Sequence, residues 1–267
     1  MENKKIDKLK NIIKNTGSMI IAFSGGVDSS FLLKTAVEVL GKNVIAVTIK
    51  SPIFTKSELN DAKKFAKSLN CRHMTVNSNL LEIEEFKNNH RDRCYICKKE
   101  IFLKLISVKK KYRFNAVADG TNYDDLNTYR PGLKSLKELG IRSLLADTGL
   151  TKKEIRKYSK LLNLPAWNKP ALSCLATRFP YGEKITKPKL EKIEKAEIFL
   201  NSLGFNQKRV RYYYPTARIE IDKKEIPKML QNNIRDEIIK EFKKIGFAYI
   251  TVDLEGYRTG SMDRSNK

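Results

Sequence analysis

The feature that most constrains this 267-residue chain is Ser24-Gly25-Gly26-Val27-Asp28-Ser29-Ser30, set between an apolar run and a helical repeat. Met19 to Phe23 reads as a buried strand that stops at the turn. Phe31, Leu32, Ala36, Val37 and Leu40 follow at helical spacing, and Gly41 closes them. A glycine-rich strand-to-helix turn offers inward backbone N–H groups and the positive end of a helix, which together bind phosphate. The hydroxyls of Ser24, Ser29 and Ser30 add donors. A carboxylate at Asp28 would repel phosphates unless Mg²⁺ bridges the two. The Gly-Lys-Ser/Thr ending of a Walker A loop is absent. The plain alternative is an ordinary glycine-rich turn.

The rest of the chain supports an open α/β sheet. Leu9, Ile12 and Ile13 mark a first helix, Val44–Ile49 a second strand, 57–69 a helix, and Arg72–Val76 a third strand. Lys99–Lys110 reads as a helix and Ala116–Ala118 as a strand before Asp119-Gly120. Strands alternating with helices predict right-handed crossovers and a mostly parallel sheet. Thr151 and Glu154 have capping-box spacing at a helix start. The segment from Pro165 to Gly182 holds three prolines and reads as an ordered functional linker. Beyond it, the helix 190–203, the strands 210–214 and 217–221, two more helices and the strand Phe247–Val252 make a small α+β unit. The expected division is a nucleotide domain at 1–165, an active-site linker at 166–188, and a C-terminal domain at 189–267.

Composition narrows the function classes. The formal net charge is +23, shared as +17 before Tyr181 and +6 from there on, so neither part is a basic tail. Short clusters such as Lys109–Lys111 read as solvated helix faces. A basic surface with small anionic ligands fits better than a nucleic-acid partner. No apolar run is long enough to span a membrane, and the charged first residues do not read as a secretory signal. Four cysteines in a chain of this length point to a reducing, cytoplasmic setting.

Cys94-Tyr95-Ile96-Cys97 places two thiols on one turn, and Cys174 follows in Ser173-Cys174-Leu175-Ala176. Three readings stay open: an iron–sulfur cluster on three cysteines with one iron left open, zinc completed by Cys71, His73 or His90, or buried or redox thiols. Cys71 lies beside a predicted strand and reads as core. The two histidines show no metal-ligand spacing.

The SGG-x-DS loop resembles that of the PP-loop ATP pyrophosphatases, which cleave ATP between the α- and β-phosphates and adenylylate a substrate oxygen. The resemblance implies a Rossmann-like parallel sheet. It makes Ser24, Gly25, Gly26, Val27, Asp28, Ser29 and Ser30 the ATP loop, with Gly120 and Asn122 bordering the nucleotide. Asp119 to Asn122, Asp125, Arg130-Pro131-Gly132, Lys169-Pro170, Cys174-Leu175-Ala176-Thr177-Arg178-Phe179-Pro180-Tyr181-Gly182, Arg209-Val210-Arg211, Ala217-Arg218-Ile219-Glu220 and Asp253-Leu254-Glu255-Gly256-Tyr257-Arg258 extend the likeness. Together they resemble the LarE family of ATP-dependent sulfur transferases over about the whole chain.

That resemblance implies adenylylation of a carboxylate of pyridinium-3,5-biscarboxylic acid mononucleotide and replacement of AMP by sulfur, in the biosynthesis of the nickel-pincer nucleotide. ATP, Mg²⁺ and a 4Fe-4S cluster on Cys94, Cys97 and Cys174 are the implied cofactors. Inorganic sulfide or a sulfur-delivery system is the implied source, and a homo-oligomer the implied assembly. Members with only the later cysteine sacrifice its sulfur, whereas the extra CxxC here matches the cluster type. Cys174, Asp28, Arg178 and Glu197 are the implied catalytic residues. Arg209 and Arg211, alternating on a strand, would clamp the substrate phosphate. Asp125 and Arg130 would order their loop or touch ATP. A cluster-dependent tRNA thiolase is the main rival. A PP-loop amidotransferase-type synthetase and a non-catalytic iron–sulfur protein are weaker ones.

Overall fold

The strand β1 (Met19–Ala22) lies inside a sheet whose every neighbour runs parallel to it. The computed structural model describes residues 2–127, 130–170, 173–258 and 260–264. In chain order, α1 (Glu2–Thr16) precedes β1 and α2 (Val27–Leu40) follows it. Then come β2 (Val44–Lys50), α3 (Lys56–Ser68), β3 (Arg72–Asn77), the short α4 (Glu84–Lys87), α5 (Arg93–Tyr112) and β4 (Ala116–Ala118). The helices α6 (Gly132–Glu138), α7 (Leu144–Asp147) and α8 (Lys152–Leu161) follow. The sheet order is β3-β2-β1-β4. Met19 pairs with Val44 on one side and Ala116 on the other.

The chain divides into two compact units, Met1–Leu80 with Asp92–Leu172, and Leu81–Arg91 with Ser173–Lys267. The core of the first unit follows from its strands. Met19, Ile20, Ile21, Ile45 and Ala46 are fully buried. Such runs suit a parallel sheet covered on both faces. From α2, Phe31, Leu32, Leu33 and Ala36 pack with Leu9 and Ile13 of α1. Both α3 and α8 begin with complete capping boxes, Thr55/Glu58 and Thr151/Glu154. Glu154 also pairs with Lys5 at 2.7 Å.

The second unit holds α9 (Lys187–Ser202), β5 (Lys208–Tyr213), β6 (Thr216–Ile221), α10 (Ile226–Met229), α11 (Asn232–Ile245), β7 (Tyr249–Val252) and α12 (Ser261–Arg264). Its sheet has the order β5-β6-β7, antiparallel then parallel. One face of β5 puts Val210 and Tyr212 into the core, where Tyr212 meets Phe179 and Phe247. The other alternation carries Arg209 and Arg211, opposite Glu220 and Arg218.

The architecture agrees with the α/β expectation, and three details depart from the sequence reading. The helix expected at 99–110 begins at Arg93 instead, so Cys94 and Cys97 stand on its first turns. Four short helices, α4, α6, α7 and α12, have no counterpart in the sequence reading. Residues 81–91, expected in the nucleotide domain, fall in the second unit. Asn89 Nδ2 donates to Pro180 O at 2.7 Å, and the N–H groups of Gly182 and Ile185 donate to Asn89 O and Lys87 O.

Candidate functional site

The phosphate loop starts where β1 ends and is shaped by two glycines. Gly25 has φ +74°, a conformation that glycine adopts without steric cost, and Gly26 is the N-cap of α2. Ser24 Oγ accepts from Gly26 N at 3.3 Å and lies 3.0 Å from Ser29 Oγ, which also donates to Gly26 O at 3.2 Å. Val27, Ser29 and Ser30 are buried in the first turn of α2. Among the described residues, Ser30 Oγ is buried without a hydrogen-bond partner. A buried hydroxyl normally finds one, so an oxygen-rich ligand would satisfy it.

A wall closes behind the loop. A Cβ on Gly120 would come 2.9 Å from Ser29 N, so only glycine permits this approach of the β4 turn. Asp119 is buried and accepts from Thr121 N, Thr121 Oγ1 and Ser143 Oγ, which fixes the turn. Asn122 and Asp125 exchange hydrogen bonds of 3.2 Å, and Asn122 Nδ2 reaches Asp28 Oδ1 at 3.4 Å. Burial pushes the Asp125 carboxyl pKa up, against the charge of Arg130, which pairs with it at 2.7 Å. Asp125 and Arg130 therefore order the loop, one of the two roles expected for them.

Asp28 has a second partner that sequence reasoning missed. Lys152 Nζ at the start of α8 forms a short ion pair with Asp28 Oδ2. The carboxylate thus stands beside the phosphate loop with an amide on one oxygen and an ammonium on the other. The donor set fits ATP with Mg²⁺, which characteristically uses one or two carboxylates plus substrate phosphates.

A separate polar cluster lies inside the second unit. Cys174 is the N-cap of a single 3₁₀ turn, Leu175–Arg178, and is half-buried. Arg178 Nη1 donates to Ser173 O, Cys174 O, Ser173 Oγ and Thr177 Oγ1 at 2.7–3.0 Å, wrapping the cysteine's backbone. Its Nε and Nη2 grip Glu197 of α9, each at 2.9 Å. Glu197 also accepts from Val210 N at 3.0 Å. Burial raises the Glu197 pKa, but the opposing charges of Arg178 and Arg209 and these hydrogen bonds outweigh it and hold the carboxyl below its ordinary range.

Arg209 and Arg211 are both buried. Arg209 lies over the Tyr257 ring at 5.1 Å and donates to Lys208 O at 2.6 Å. Arg211 donates to Thr177 O at 2.9 Å, to Glu220 Oε2 at 2.6 Å and to Ser261 Oγ at 2.9 Å. Glu220 is fully buried and also receives Arg218 at 3.1 Å. Hydrogen bonds thus link Cys174, Arg178, Glu197 and, through Thr177, Arg211, while Arg209 acts on Glu197 through its charge.

The cysteines divide between the units. Cys94 and Cys97 are half-buried at i and i+3 on α5, in the first unit. Among the described residues, no group of three or more Cys, His, Asp or Glu is gathered as for a metal. The thiols have the donor chemistry of an iron–sulfur site, with Cys174 in the other unit. Cys71 is buried with its Sγ on Val44 O and Arg72 O, and burial raises its pKa. His73 Nε2 lies 2.8 Å from Thr48 Oγ1, and burial with the Lys63 charge lowers its pKa. Both residues serve the sheet. His90 is exposed. Among the described residues, no helix is long and apolar enough to cross a membrane.

Comparison with known proteins agrees with this geometry. Residues 2–107 match the family model described as NAD synthase. The chain is 42% identical to an uncharacterized protein of Synechocystis sp., over 99% of this chain and 98% of that one. It is 38% identical to an uncharacterized protein of Methanocaldococcus jannaschii, over 96% of this chain and 98% of the relative. It is also 37% identical to the pyridinium-3,5-bisthiocarboxylic acid mononucleotide synthase of Lactiplantibacillus plantarum, over 94% of this chain and 91% of that enzyme. With the phosphate loop in place and this likeness running nearly end to end, the chain belongs to the LarE family of ATP-dependent PP-loop sulfur transferases.

Proposed function

We propose that this protein uses ATP to adenylylate a carboxylate of pyridinium-3,5-biscarboxylic acid mononucleotide and then replaces AMP by sulfur, giving a thiocarboxylate. The observation that carries this is Asp28 inside a donor-lined phosphate loop, in a chain similar over 94% of its length to a bisthiocarboxylic acid mononucleotide synthase. In the first step a substrate carboxylate oxygen bonds to the α-phosphorus. The bond to the bridging oxygen breaks, and pyrophosphate leaves with the electron pair. The loop's N–H groups and hydroxyls would hold the β- and γ-phosphates, and Asp28 would hold Mg²⁺, which would offset their negative charge. Adenylylation turns a poor leaving oxygen into a good one. A sulfur nucleophile then adds to the acyl carbon and AMP departs.

In the second unit, Arg209 supplies positive charge for the substrate's phosphate, and Arg211, paired with Glu220, completes the clamp with its N–H donors. Arg178 and Glu197 fix the turn that presents Cys174. Cys94, Cys97 and Cys174 would hold a 4Fe-4S cluster, which, when bound, supplies an open iron for a transferable sulfide. The sulfur source is inorganic sulfide or a delivery system, and the assembly a homo-oligomer. Incubation with ATP, Mg²⁺, the mononucleotide and sulfide under anaerobic conditions tests this reading. It requires AMP, pyrophosphate and a product in which sulfur has replaced oxygen.

A further inference from the structure

The C-terminal chain touches both buried arginines of β5. After β7 it turns back onto β6, where Asp253 N donates to Ile219 O at 2.9 Å and Tyr257 N to Ile221 O at 2.7 Å. Gly256 has φ +69°, and a Cβ there would stand 2.8 Å from Ile221 O, so this close approach needs glycine. Arg258 pairs with Asp253 at 3.2 Å across the same turn. The turn sets the Tyr257 ring against the Arg209 guanidinium, 5.1 Å from its centroid. Further on, Ser261 is buried and its hydroxyl accepts from Arg211 Nη2 at 2.9 Å. The same hydroxyl donates toward the Glu220 carboxylate, at 3.3 and 3.4 Å from its two oxygens.

We propose that Tyr257 and Ser261 are positioning residues of the substrate-phosphate clamp, Tyr257 for Arg209 and Ser261 for Arg211. The proposal rests on the assignment of these arginines to the mononucleotide's phosphate and adds two residues that assignment does not use. Arg211 Nη2 donates to Glu220 and to Ser261, and Nη1 donates to Thr177 O. A planar guanidinium tied at three points keeps one orientation. Among the described residues its buried Nε has no hydrogen-bond partner, so that donor is left for a ligand. A serine hydroxyl fixes Arg211 without cancelling more of its charge, which a second carboxylate would do. Tyr257 fixes Arg209 through the face of its ring and takes none of its hydrogens. With either contact removed, the ligand must itself order a long side chain as it binds.

The test follows the arginine Nε signals by NMR. Their nitrogen relaxation reads side-chain order, and titrating them with the biscarboxylic mononucleotide and with inorganic phosphate reads affinity at this site. ATP affinity is measured by calorimetry. The variants are Ser261→Ala, Ser261→Thr, Tyr257→Leu and Tyr257→Phe, with Leu254→Ala, exposed on the same turn, as control. Ser261→Ala should loosen Arg211 Nε and weaken both ligands roughly 2–12-fold, the effect of ordering one long side chain. ATP affinity should not change, and Ser261→Thr, which keeps the hydroxyl, should restore binding. Tyr257→Leu should loosen Arg209 in the same way, whereas Tyr257→Phe, which keeps the ring, should not. Leu254→Ala should leave every value unchanged. If Ser261→Ala is poorly folded, the Tyr257→Leu and Tyr257→Phe pair decides. Unchanged phosphate affinity in Ser261→Ala and Tyr257→Leu overturns the proposal, as does an equal loss of ATP affinity, which marks a merely structural role. A wild type that binds phosphate here but not the mononucleotide would overturn the substrate reading, and the phosphate affinities would still decide on Ser261 and Tyr257. A wild type that binds neither overturns both.

Discussion

Arg178 and Glu197 meet fork to fork, Nε on Oε1 and Nη2 on Oε2, both at 2.9 Å, beside the turn that carries Cys174. This geometry makes the pair directional as well as strong. Because the same guanidinium holds Cys174 O, the placement of the thiol depends on a carboxylate on a different helix.

That dependence has a pH signature. The folded-state pKa of Glu197 is depressed, with burial opposed and outweighed by Arg178. A depressed carboxylate pKa gives stability that is present above the unfolded value and is lost as pH falls through the folded value. Denaturant midpoints measured downward from neutral pH should therefore fall more steeply in the wild type than in Glu197→Gln. At neutral pH, Glu197→Ala should cost ~3–5 kcal/mol by removing the buried carboxylate that Arg178 grips. Equal pH slopes in the wild type and Glu197→Gln would refute the linkage.

Arg209 and Arg211 should separate in their effects. Glu220 is fully buried under Arg211, so Arg211→Ala should destabilise the fold by ~3–5 kcal/mol. Arg209 lies over the Tyr257 ring and donates to Lys208 O, and its substitution tests ligand binding. Arg209→Ala should weaken the mononucleotide roughly 10–150-fold, with ATP affinity unchanged. Equal losses for ATP and the mononucleotide would count against the assignment.

Gly120→Ala should damage the ATP loop from behind. Its Cβ would stand 2.9 Å from Ser29 N, a backbone atom that cannot yield without moving the loop. Overpacking of this kind costs ~1–3 kcal/mol. Calorimetry should show weakened ATP binding alongside a lowered Tm. Unaltered ATP affinity would show that the loop tolerates displacement.

The four cysteines should sort by position. Alanine at Cys94, Cys97 or Cys174 should abolish iron binding and repeated sulfur transfer together. Cys71→Ala should leave both in place, because its thiol is bonded only within the sheet. Conversion of Cys174 to dehydroalanine with one product per chain, read by mass spectrometry, would favour sacrifice of that cysteine instead.

The parts legible in the sequence were those encoded locally. The phosphate loop is contiguous from Ser24 to Ser30, and the Thr151/Glu154 box spans a single turn, so both could be read directly. The start of α5 was not legible. His90-Arg91-Asp92-Arg93 has no apolar period, and the N-cap Asp92 makes no side-chain cap. Lys152 was invisible for a different reason: it meets Asp28 across 124 positions, and nothing in either segment specifies the other. The same holds for residues 81–91, whose Asn89 finds Pro180 at a separation of 91. Arg209 and Arg211 are legible as an alternating pair, but nothing local to them specifies Glu220, which pairs with Arg211 from the neighbouring strand.

The central claim is adenylylation followed by sulfur transfer, and its most direct measurement is the product set of one anaerobic reaction. Wild-type protein with ATP, Mg²⁺, the biscarboxylic mononucleotide and isotopically labelled sulfide should yield AMP, pyrophosphate and a thiocarboxylate carrying the label. Asp28→Ala, still folded by circular dichroism, should yield none of the three. ADP and phosphate from the wild type, or a mononucleotide that keeps both oxygens of each carboxylate while ATP is consumed, would contradict the account.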